Sequence, residues 1–226
     1  QIRTTICYND RPVKIVGSHA GISVGPDGGT HQAIEDMTIM RVIPRMVVIA
    51  PCDSVEAKKA TLAMAKNDSP TYLRLAREKT PIMTTEETPF AIGKSYEMWR
   101  SANPQVALIG CGPLLHNALK AAKKLGEEGI GSVVLNAHTV KPLDENAIIA
   151  LAKETGAVVT IEEHQIAGGF GSAVAEVLAE KHSVPIEFIG VRNLFGQSGK
   201  PEELIEHYGM GVSHIIAAAH RALARK

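Results

Sequence analysis

The sequence predicts an α/β protein made of two consecutive domains, each with a parallel sheet covered by helices. Short apolar runs alternate with helical patterns along most of the 226 residues. Hydrophobic residues make up 45% of the chain but aromatic residues only 4%, which suits a buried parallel sheet better than a β-sandwich. The periodicity fades and the sequence turns polar over residues 76–103. We therefore predict one domain over residues 1–90 and a second over residues 91–226.

The first domain is predicted to contain three strands joined by two helices. Residues 2–8 fit either a helix end or a strand. The strands are expected at residues 13–17, 46–50 and 71–75. One helix is expected at 32–43, capped by Thr30, and another, capped by Ser54 or Asp53, ends at about residue 66. Such a series has right-handed connections and binds ligands at the carboxyl ends of its strands. The Thr30 cap would place His31 at the positive end of its helix.

The second domain is predicted to repeat this alternation. A small strand pair is allowed within residues 92–99. Further strands are expected at residues 106–110, 132–136, 157–162 and 186–191, and helices at 113–126, 143–155, 168–182, 201–207 and 212–224. Gly110-Cys111-Gly112 follows a strand and precedes a helix, but it lacks the third glycine and the acidic residue of a dinucleotide site. We interpret it as a tight turn.

Charge and cysteine content exclude several classes of protein. The chain carries 24 basic and 24 acidic side chains and no long basic block, so we expect neither nucleic acid nor membrane as a partner. Its three cysteines are far apart and each lies beside an apolar run, which indicates buried thiols in a reducing compartment. The chain opens at Gln1 without methionine and shows no leader. We expect a cytoplasmic protein present as a fragment, a processed piece or a subunit.

A glycine-rich loop after the first strand carries the candidate catalytic residues. His19, Asp27 and His31 lie within thirteen positions, between the strand and the predicted helix. Imidazoles titrate near neutral pH and can donate to, or accept from, sugar hydroxyls and a carbonyl. Glycines allow the backbone to approach a ligand closely. An ordinary polar loop is the alternative interpretation.

Two arginines, Arg74 and Arg77, lie three positions apart at the end of the third predicted strand. Because side chains alternate along a strand, one should point to the site and one into the structure. Arg77 lies just past the strand end, at the same edge of the sheet as His19. Its planar guanidinium suits a sugar phosphate, whereas an ordinary ion pair with a nearby carboxylate is the alternative.

Other polar motifs carry weaker signals. Glu162-Glu163-His164, followed by a glycine cluster, fits an acid/base group or a strand end packed at a domain or subunit contact, and we favour packing. The remaining helix-associated histidines show no metal-binding spacing, so no metal site is predicted.

The order of these residues resembles transketolase, a thiamine-diphosphate enzyme. Residues 18–36 read S-H-x-G-I-x-x-G-x-D-G-x-T-H-Q-x-x-E-D, and R-x-I-P and A-P-x-D follow. The resemblance continues through Arg-Leu-Ala-Arg at 74–77 and through residues 139–144, 162–164 and 198–204. It covers nearly the whole chain. It implies a pyrimidine-binding-type domain, incomplete at its N-terminus, followed by a transketolase C-terminal-type domain.

The resemblance also implies an activity and residue roles. Transketolases transfer a two-carbon ketol unit between sugar phosphates with thiamine diphosphate and Mg²⁺, in the pentose phosphate pathway. His19 and His31 match catalytic, sugar-binding histidines, and His31 also matches a cofactor contact. Asp27 matches the aspartate that contacts a sugar hydroxyl, and Arg77 the arginine that binds the sugar phosphate.

Part of the family's machinery is not found in this sequence. The glutamate that activates the aminopyrimidine, the aromatic residues that stack on that ring and the diphosphate-binding domain with its G-D-G…N motif would all lie upstream of Gln1. The resemblance therefore implies a partner, the N-terminal transketolase section, which binds most of the cofactor. We expect the isolated chain to be inactive, and a homodimer of this chain to form between partner chains.

Three alternatives stay open. Deoxyxylulose-phosphate synthase shares D-G-x-T-H-Q and R-x-x-R, but it has an arginine at the position of His19. The 2-oxoacid dehydrogenase β subunits share the two-domain layout but lack T-H-Q. A non-catalytic assembly protein of the same fold is the third.

Overall fold

A computed structural model describes all residues, 1–226, and confirms the α/β fold with two mixed, mostly parallel sheets. The strands are β1 Lys14–Gly17, β2 Val47–Ile49, β3 Thr71–Arg74, β4 Tyr96–Arg100, β5 Val106–Gly110, β6 Ser132–Asn136, β7 Thr139–Lys141, β8 Val158–Gln165 and β9 Ile186–Val191. The α-helices are α1 Asp36–Arg41, α2 Ser54–Ala65, α3 Leu115–Glu127, α4 Glu145–Thr155, α5 Phe170–Lys181, α6 Pro201–His207 and α7 Val212–Ala224. Two further helical segments are a wide-turned π-helix, Ile2–Tyr8, and a 3₁₀ segment, Ile22–Asp27.

The first sheet has the strand order β1-β3-β2-β7. Strands β1, β3 and β2 run parallel, as predicted, whereas β7 is antiparallel to β2. The sequence does not predict β7, because three residues between β6 and α4 carry no periodicity that separates a strand from a loop. A segment far along the chain therefore completes the sheet that carries the candidate loop.

The second sheet has the order β4-β6-β5-β8-β9, with only β4 antiparallel. Alternate residues of its central strands enter two different cores. In β5, Val106 and Leu108 pack with α3 and α7, whereas Ala107 and Ile109 pack with α4 and α5. Helices thus cover both faces, which explains why β5 is apolar at every position.

The structure corrects three details of the predicted first domain. The helix expected over residues 32–43 is only α1, because Ala33 instead pairs with Ala20 in a parallel bridge. Thr30 and His31 consequently lie in a turn and not at a helix N-terminus. Strand β1 is an edge strand and not buried, since Val16 is 51% exposed.

The remaining predictions on structure concern the linker, the cysteines and membrane segments. Within residues 92–99 the chain forms one strand, β4, and not a pair of strands. All three cysteines are buried and free. None of the helices combines the length and the apolar character that a bilayer crossing requires.

Candidate functional site

The candidate loop begins where β1 ends, with a strained turn. His19 has a φ of 61° and Gly21 a φ of 97°, values in the left-handed region that side chains disfavour. Two backbone hydrogen bonds hold the turn. The amide of Ala20 donates to the carbonyl of Leu75 at 3.1 Å, and that of Gly21 to Ala33 at 2.8 Å. Loop residues 19–21 therefore lie between the carboxyl end of β3 and the segment that follows His31.

Asp27 and Arg77 are brought together by the 3₁₀ segment. Gly25 and Gly28, with φ of 76° and 79°, allow this segment to turn back toward the end of β3. Arg77 Nη1 donates to Asp27 Oδ1 at 3.0 Å and to the carbonyl of Val24 at 2.7 Å. Both side chains stay partly exposed, at 34% and 40%. The ion pair held open as an alternative for Arg77 is thus present, and its partner is another predicted site residue.

The two histidines lie at the surface of the same loop. His19 Nδ1 is 3.1 Å from the hydroxyl of Ser18, and His31 Nδ1 is 3.0 Å from that of Thr30. Neither Nε2 atom has a hydrogen-bond partner in the chain, so one nitrogen of each ring is available to a ligand. The Ala20–Ala33 bridge brings the two backbones together, but neither ring is hydrogen-bonded to Arg77.

Arg74 points into the structure. Its Nε lies 2.9 Å from Asp36 Oδ2, and its Nη2 donates to the carbonyls of Ala33 and Glu163 at 3.2 and 2.9 Å. Burial opposes ionisation of Asp36, but the charge of Arg74 and the hydrogen bonds from Tyr72 and Arg74 keep the Asp36 pKa below its usual range. Arg74 therefore joins the two sheets, and its guanidinium is buried in contacts within the chain.

Glu162-Glu163-His164 forms the buried end of β8 at the contact between the two sheets. The Glu162 carboxylate accepts from the amides of Phe170 and Gly171, both at 2.7 Å, at the start of α5. His164 Nε2 accepts from the amide of Met37 at 3.1 Å. Burial lowers the pKa of His164 to about 4, which agrees with a neutral ring that accepts this bond. These contacts support the packing interpretation.

Glu163 has a contact that the sequence pattern does not indicate. Its Oε1 accepts from the amide of Ser23 at 2.6 Å, so a residue of the second sheet touches the candidate loop. The contact spans 140 positions. Only the adjacency of Glu163 to the glycine cluster hints at a packed location.

A cavity of about 450 Å³ lies on the other side of Arg77, at the start of α2. His19, Asp27 and His31 do not line it. Asp53 occupies the helix N-terminus here. Its carboxylate accepts from the amides of Glu56, Met83 and Thr84 and from the Thr84 hydroxyl. The positive end of α2 is therefore already capped by a carboxylate.

The donor set bears on which groups the chain could bind by itself. No three or more His, Cys, Asp or Glu side chains gather as ligands for a metal ion. His31 offers a free Nε2 to a cofactor, and Arg77 offers one cation. Because a diphosphate with its metal needs several converging donors, these residues fit contacts at the edge of such a cofactor and not a complete site.

Family models match both parts of the chain. The transketolase pyrimidine-binding domain model matches residues 1–83, and the transketolase C-terminal domain model matches residues 95–215. A solved structure described as a split-gene transketolase, an inactive β4 tetramer, is 39% identical with a TM-score of 0.93, over 100% of this chain and 71% of that one.

Similar proteins include separate subunits and longer enzymes. The 6-deoxy-6-sulfo-D-fructose transketolase subunit SqwH of Clostridium sp. is 40% identical over 100% of this chain and 70% of its own length. A putative transketolase C-terminal section of Methanocaldococcus jannaschii is 41% identical over 92% of this chain and 66% of its own length. Rat transketolase is 35% identical over 96% of this chain, which spans 35% of that enzyme. The chain therefore belongs to the transketolase family, of which it carries the pyrimidine-binding and C-terminal domains.

Proposed function

We propose that the chain acts as the C-terminal part of a transketolase and transfers a two-carbon ketol unit between sugar phosphates once a partner supplies the diphosphate-binding half. The observation that carries this proposal is the contact between Arg77 and Asp27. These residues lie 50 positions apart, match different roles in the family, and meet at one edge of the first sheet. The pair is partly exposed, and Asp27 shares its loop with two imidazoles whose Nε2 atoms have no hydrogen-bond partner in the chain.

Arg77 is proposed to bind the anionic end of the sugar. Its Nη2 makes no hydrogen bond within the chain, so part of the guanidinium is available for a phosphate. Asp27 holds Nη1 and is proposed to accept a hydrogen bond from a sugar hydroxyl. Such contacts select a substrate by its negative charge and by the configuration of its hydroxyl group.

His19 and His31 are proposed as catalytic residues. Each presents Nε2 outward while a neighbouring hydroxyl occupies Nδ1, so each can donate to, or accept from, the substrate carbonyl and hydroxyls. Bound thiamine diphosphate supplies the electron sink for cleavage of the carbon–carbon bond. His31 would contact that cofactor, whereas the diphosphate and Mg²⁺ would be held by the partner.

The assembly is proposed from two of the relatives. One is named as a subunit, and another was solved as an inactive β4 tetramer. We therefore propose that this chain self-associates, as a dimer or a larger assembly, and needs an N-terminal transketolase section for turnover. The cytoplasmic location, expected from the cysteines, and the pentose phosphate pathway, implied by the resemblance, stay predictions.

A second candidate substrate is a sulfonated ketose. A relative 40% identical to this chain is named a 6-deoxy-6-sulfo-D-fructose transketolase subunit. A sulfonate, like a phosphate, presents several oxygen atoms that can accept hydrogen bonds from a guanidinium, so Arg77 fits either group. The phosphate carries the higher charge at neutral pH, and KM values for the two ketoses would separate the candidates.

The decisive experiment mixes the purified chain with an N-terminal transketolase section, thiamine diphosphate and Mg²⁺. Xylulose 5-phosphate with ribose 5-phosphate, and 6-deoxy-6-sulfofructose with an aldose acceptor, are assayed in parallel. We expect turnover only when both chains are present. Arg77→Ala should raise the KM of the ketose, and Arg11→Ala, at an exposed arginine elsewhere, should leave it unchanged. Turnover by the isolated chain, or equal KM values for both variants, would contradict the proposal.

A further inference from the structure

The backbone that carries His19 and Asp27 is held from two directions. On one side, the amide of Ala20 donates to Leu75, just after β3, and the amide of Gly21 donates to Ala33. The turn itself is strained, since His19 is a non-glycine residue with positive φ. Such conformations are energetically unfavourable and persist where the surrounding structure fixes them. Any further contact that holds this turn therefore affects where the candidate site residues lie.

The anchor on the other side comes from the second sheet. Glu163 is only 3% exposed, and its Oε1 accepts from the amide of Ser23 at 2.6 Å. Gly21 packs so closely that a Cβ there would overlap Oε1. Burial raises the pKa of Glu163, whereas Arg74 and the bonds from Ser23 stabilise the ionised form. A buried carboxyl thus binds the backbone of a loop.

The orientation of Glu163 rests on Arg74. The Nη2 atom of Arg74 donates to the carbonyls of both Glu163 and Ala33. One guanidinium therefore fixes the strand that bears the carboxyl and the segment paired with Ala20. The position of Ser23 relative to the first sheet follows from these shared contacts.

Adjacent Glu162 provides an internal comparison. It is buried on the same strand, and its carboxylate also accepts from backbone amides, but those belong to Phe170 and Gly171 of its own domain. The two glutamates match in burial and in bond type and differ in what they hold. If both glutamates served only the stability of the fold, replacing either one should affect the candidate site in the same way.

We propose that Glu163 is a positioning residue of the candidate site: from the second sheet, its carboxyl fixes the backbone at Ser23 and so the placement of His19 and Asp27. This inference rests on the proposed function of those residues. It assigns the C-terminal domain a part in substrate binding beyond assembly.

The anchor is tested first in the full 226-residue chain without any partner, by hydrogen–deuterium exchange. Shortening the side chain with Glu163→Asp, or removing it with Glu163→Ala, should lower the protection of the Ser23 amide by about tenfold or more. Glu163→Gln keeps an acceptor oxygen at full reach and should retain most of that protection. Glu162→Ala should instead expose the amides of Phe170 and Gly171. Unchanged exchange at Ser23 in the Asp and Ala variants overturns the proposal.

Its effect on function is tested in the complex with the N-terminal section, thiamine diphosphate and Mg²⁺. Glu163→Asp should raise the KM of the ketose on the order of tenfold, because small displacements of positioning groups are costly. Its kcat should fall less, Glu163→Gln should restore KM, and Glu162→Ala should leave KM unchanged.

The outcomes distinguish the two proposals. If His19→Ala raises KM but Glu163→Asp does not, the positioning role is overturned. If all four variants at positions 162 and 163 raise KM equally, the effect is general stability and the role is likewise overturned. If His19→Ala leaves KM unchanged in an active complex, the proposed function of the site fails, whereas the exchange at Ser23 still decides whether Glu163 anchors the loop.

Discussion

Arg77 Nη1 lies 3.0 Å from Asp27 Oδ1, and the guanidinium also binds the carbonyl of Val24. The pair joins the end of β3 to the 3₁₀ segment. Both side chains are partly exposed, so solvent screens their attraction. The ion pair therefore orients the two side chains more than it stabilises the fold.

Replacement of Asp27 should affect binding and spare folding. Asp27→Ala removes one partner of an exposed ion pair, which is worth about 0–1 kcal/mol. It also frees Arg77 Nη1 and removes the proposed hydroxyl contact, so the KM of the ketose should rise about tenfold, in line with one lost charged hydrogen bond. Urea denaturation and steady-state kinetics of the complex measure the two effects. A stability loss above about 2 kcal/mol would show a structural function instead.

Replacement of Arg74, in contrast, should lower the stability of the fold. Arg74 is 5% exposed and balances Asp36 at the contact between the sheets. Arg74→Ala leaves a buried carboxylate without its cation and should cost about 3–5 kcal/mol. Chemical denaturation followed by circular dichroism tests this. Arg77→Ala is the matched control and should change stability by less than about 1 kcal/mol.

Asp53 should be important for the stability of α2 and of the segment after Arg77. Its carboxylate caps α2 through Glu56 and binds Met83 and Thr84. Asp53→Ala should cost about 2 kcal/mol or more, since a cap and buried hydrogen bonds are lost together. Thermal unfolding measures the loss. Asp68→Ala, at an exposed aspartate in a turn, should stay within about 0.5 kcal/mol of the parent.

His138 should make the protein less stable in acid. The ring is buried and stacks on Phe90 at a centroid distance of 4.2 Å. Burial lowers the pKa of His138 to about 4 from its ordinary 6.5. The unfolded chain therefore binds a proton between these pH values that the folded chain does not. The contribution of His138 is fully present above pH 6.5 and is lost as pH falls toward 4.

The test compares pH profiles of the parent and of His138→Gln. Burial raises the pKa of Glu162 to about 8, which acts in the opposite direction over part of the same range, so the difference between the two proteins is the useful quantity. Between about pH 6 and 4.5 the parent should lose up to about 1.4 kcal/mol per pH unit more than the variant. Parallel profiles from urea denaturation would show that His138 titrates normally.

Much of the fold can be predicted because the sequence carries strong local signals. Strand β5 is a continuous apolar run, β6 has an apolar centre, and the observed bounds of both strands match the prediction. The helix predicted over residues 32–43 is too long. The apolar residues do follow helical spacing, but the backbone of Ala33 pairs with that of Ala20 in a parallel bridge. Local sequence does not encode this contact.

The candidate site is only partly predictable. The Arg77–Asp27 contact agrees with the expectation that both lie at one edge of the sheet, and the roles of the site residues stay predictions. Sequence reasoning does not single out Glu163 for the site, because its contact with Ser23 depends on how the two sheets pack. Strand β7 is not predicted for a similar reason, because this three-residue segment is a strand only through its pairing with β2.

Strand β7 has a consequence for how this protein can be divided. A shortened chain that ends near residue 90 would retain β1, β2 and β3 but leave the outer edge of β2 without its neighbour, open to pairing with other molecules. The first sheet consequently depends on a segment from the second part of the chain for its outer edge. Residues 139–141 supplied in trans would restore that neighbour, whereas a cut after Lys141 would separate β4, β5 and β6 from β8 and β9 of the second sheet.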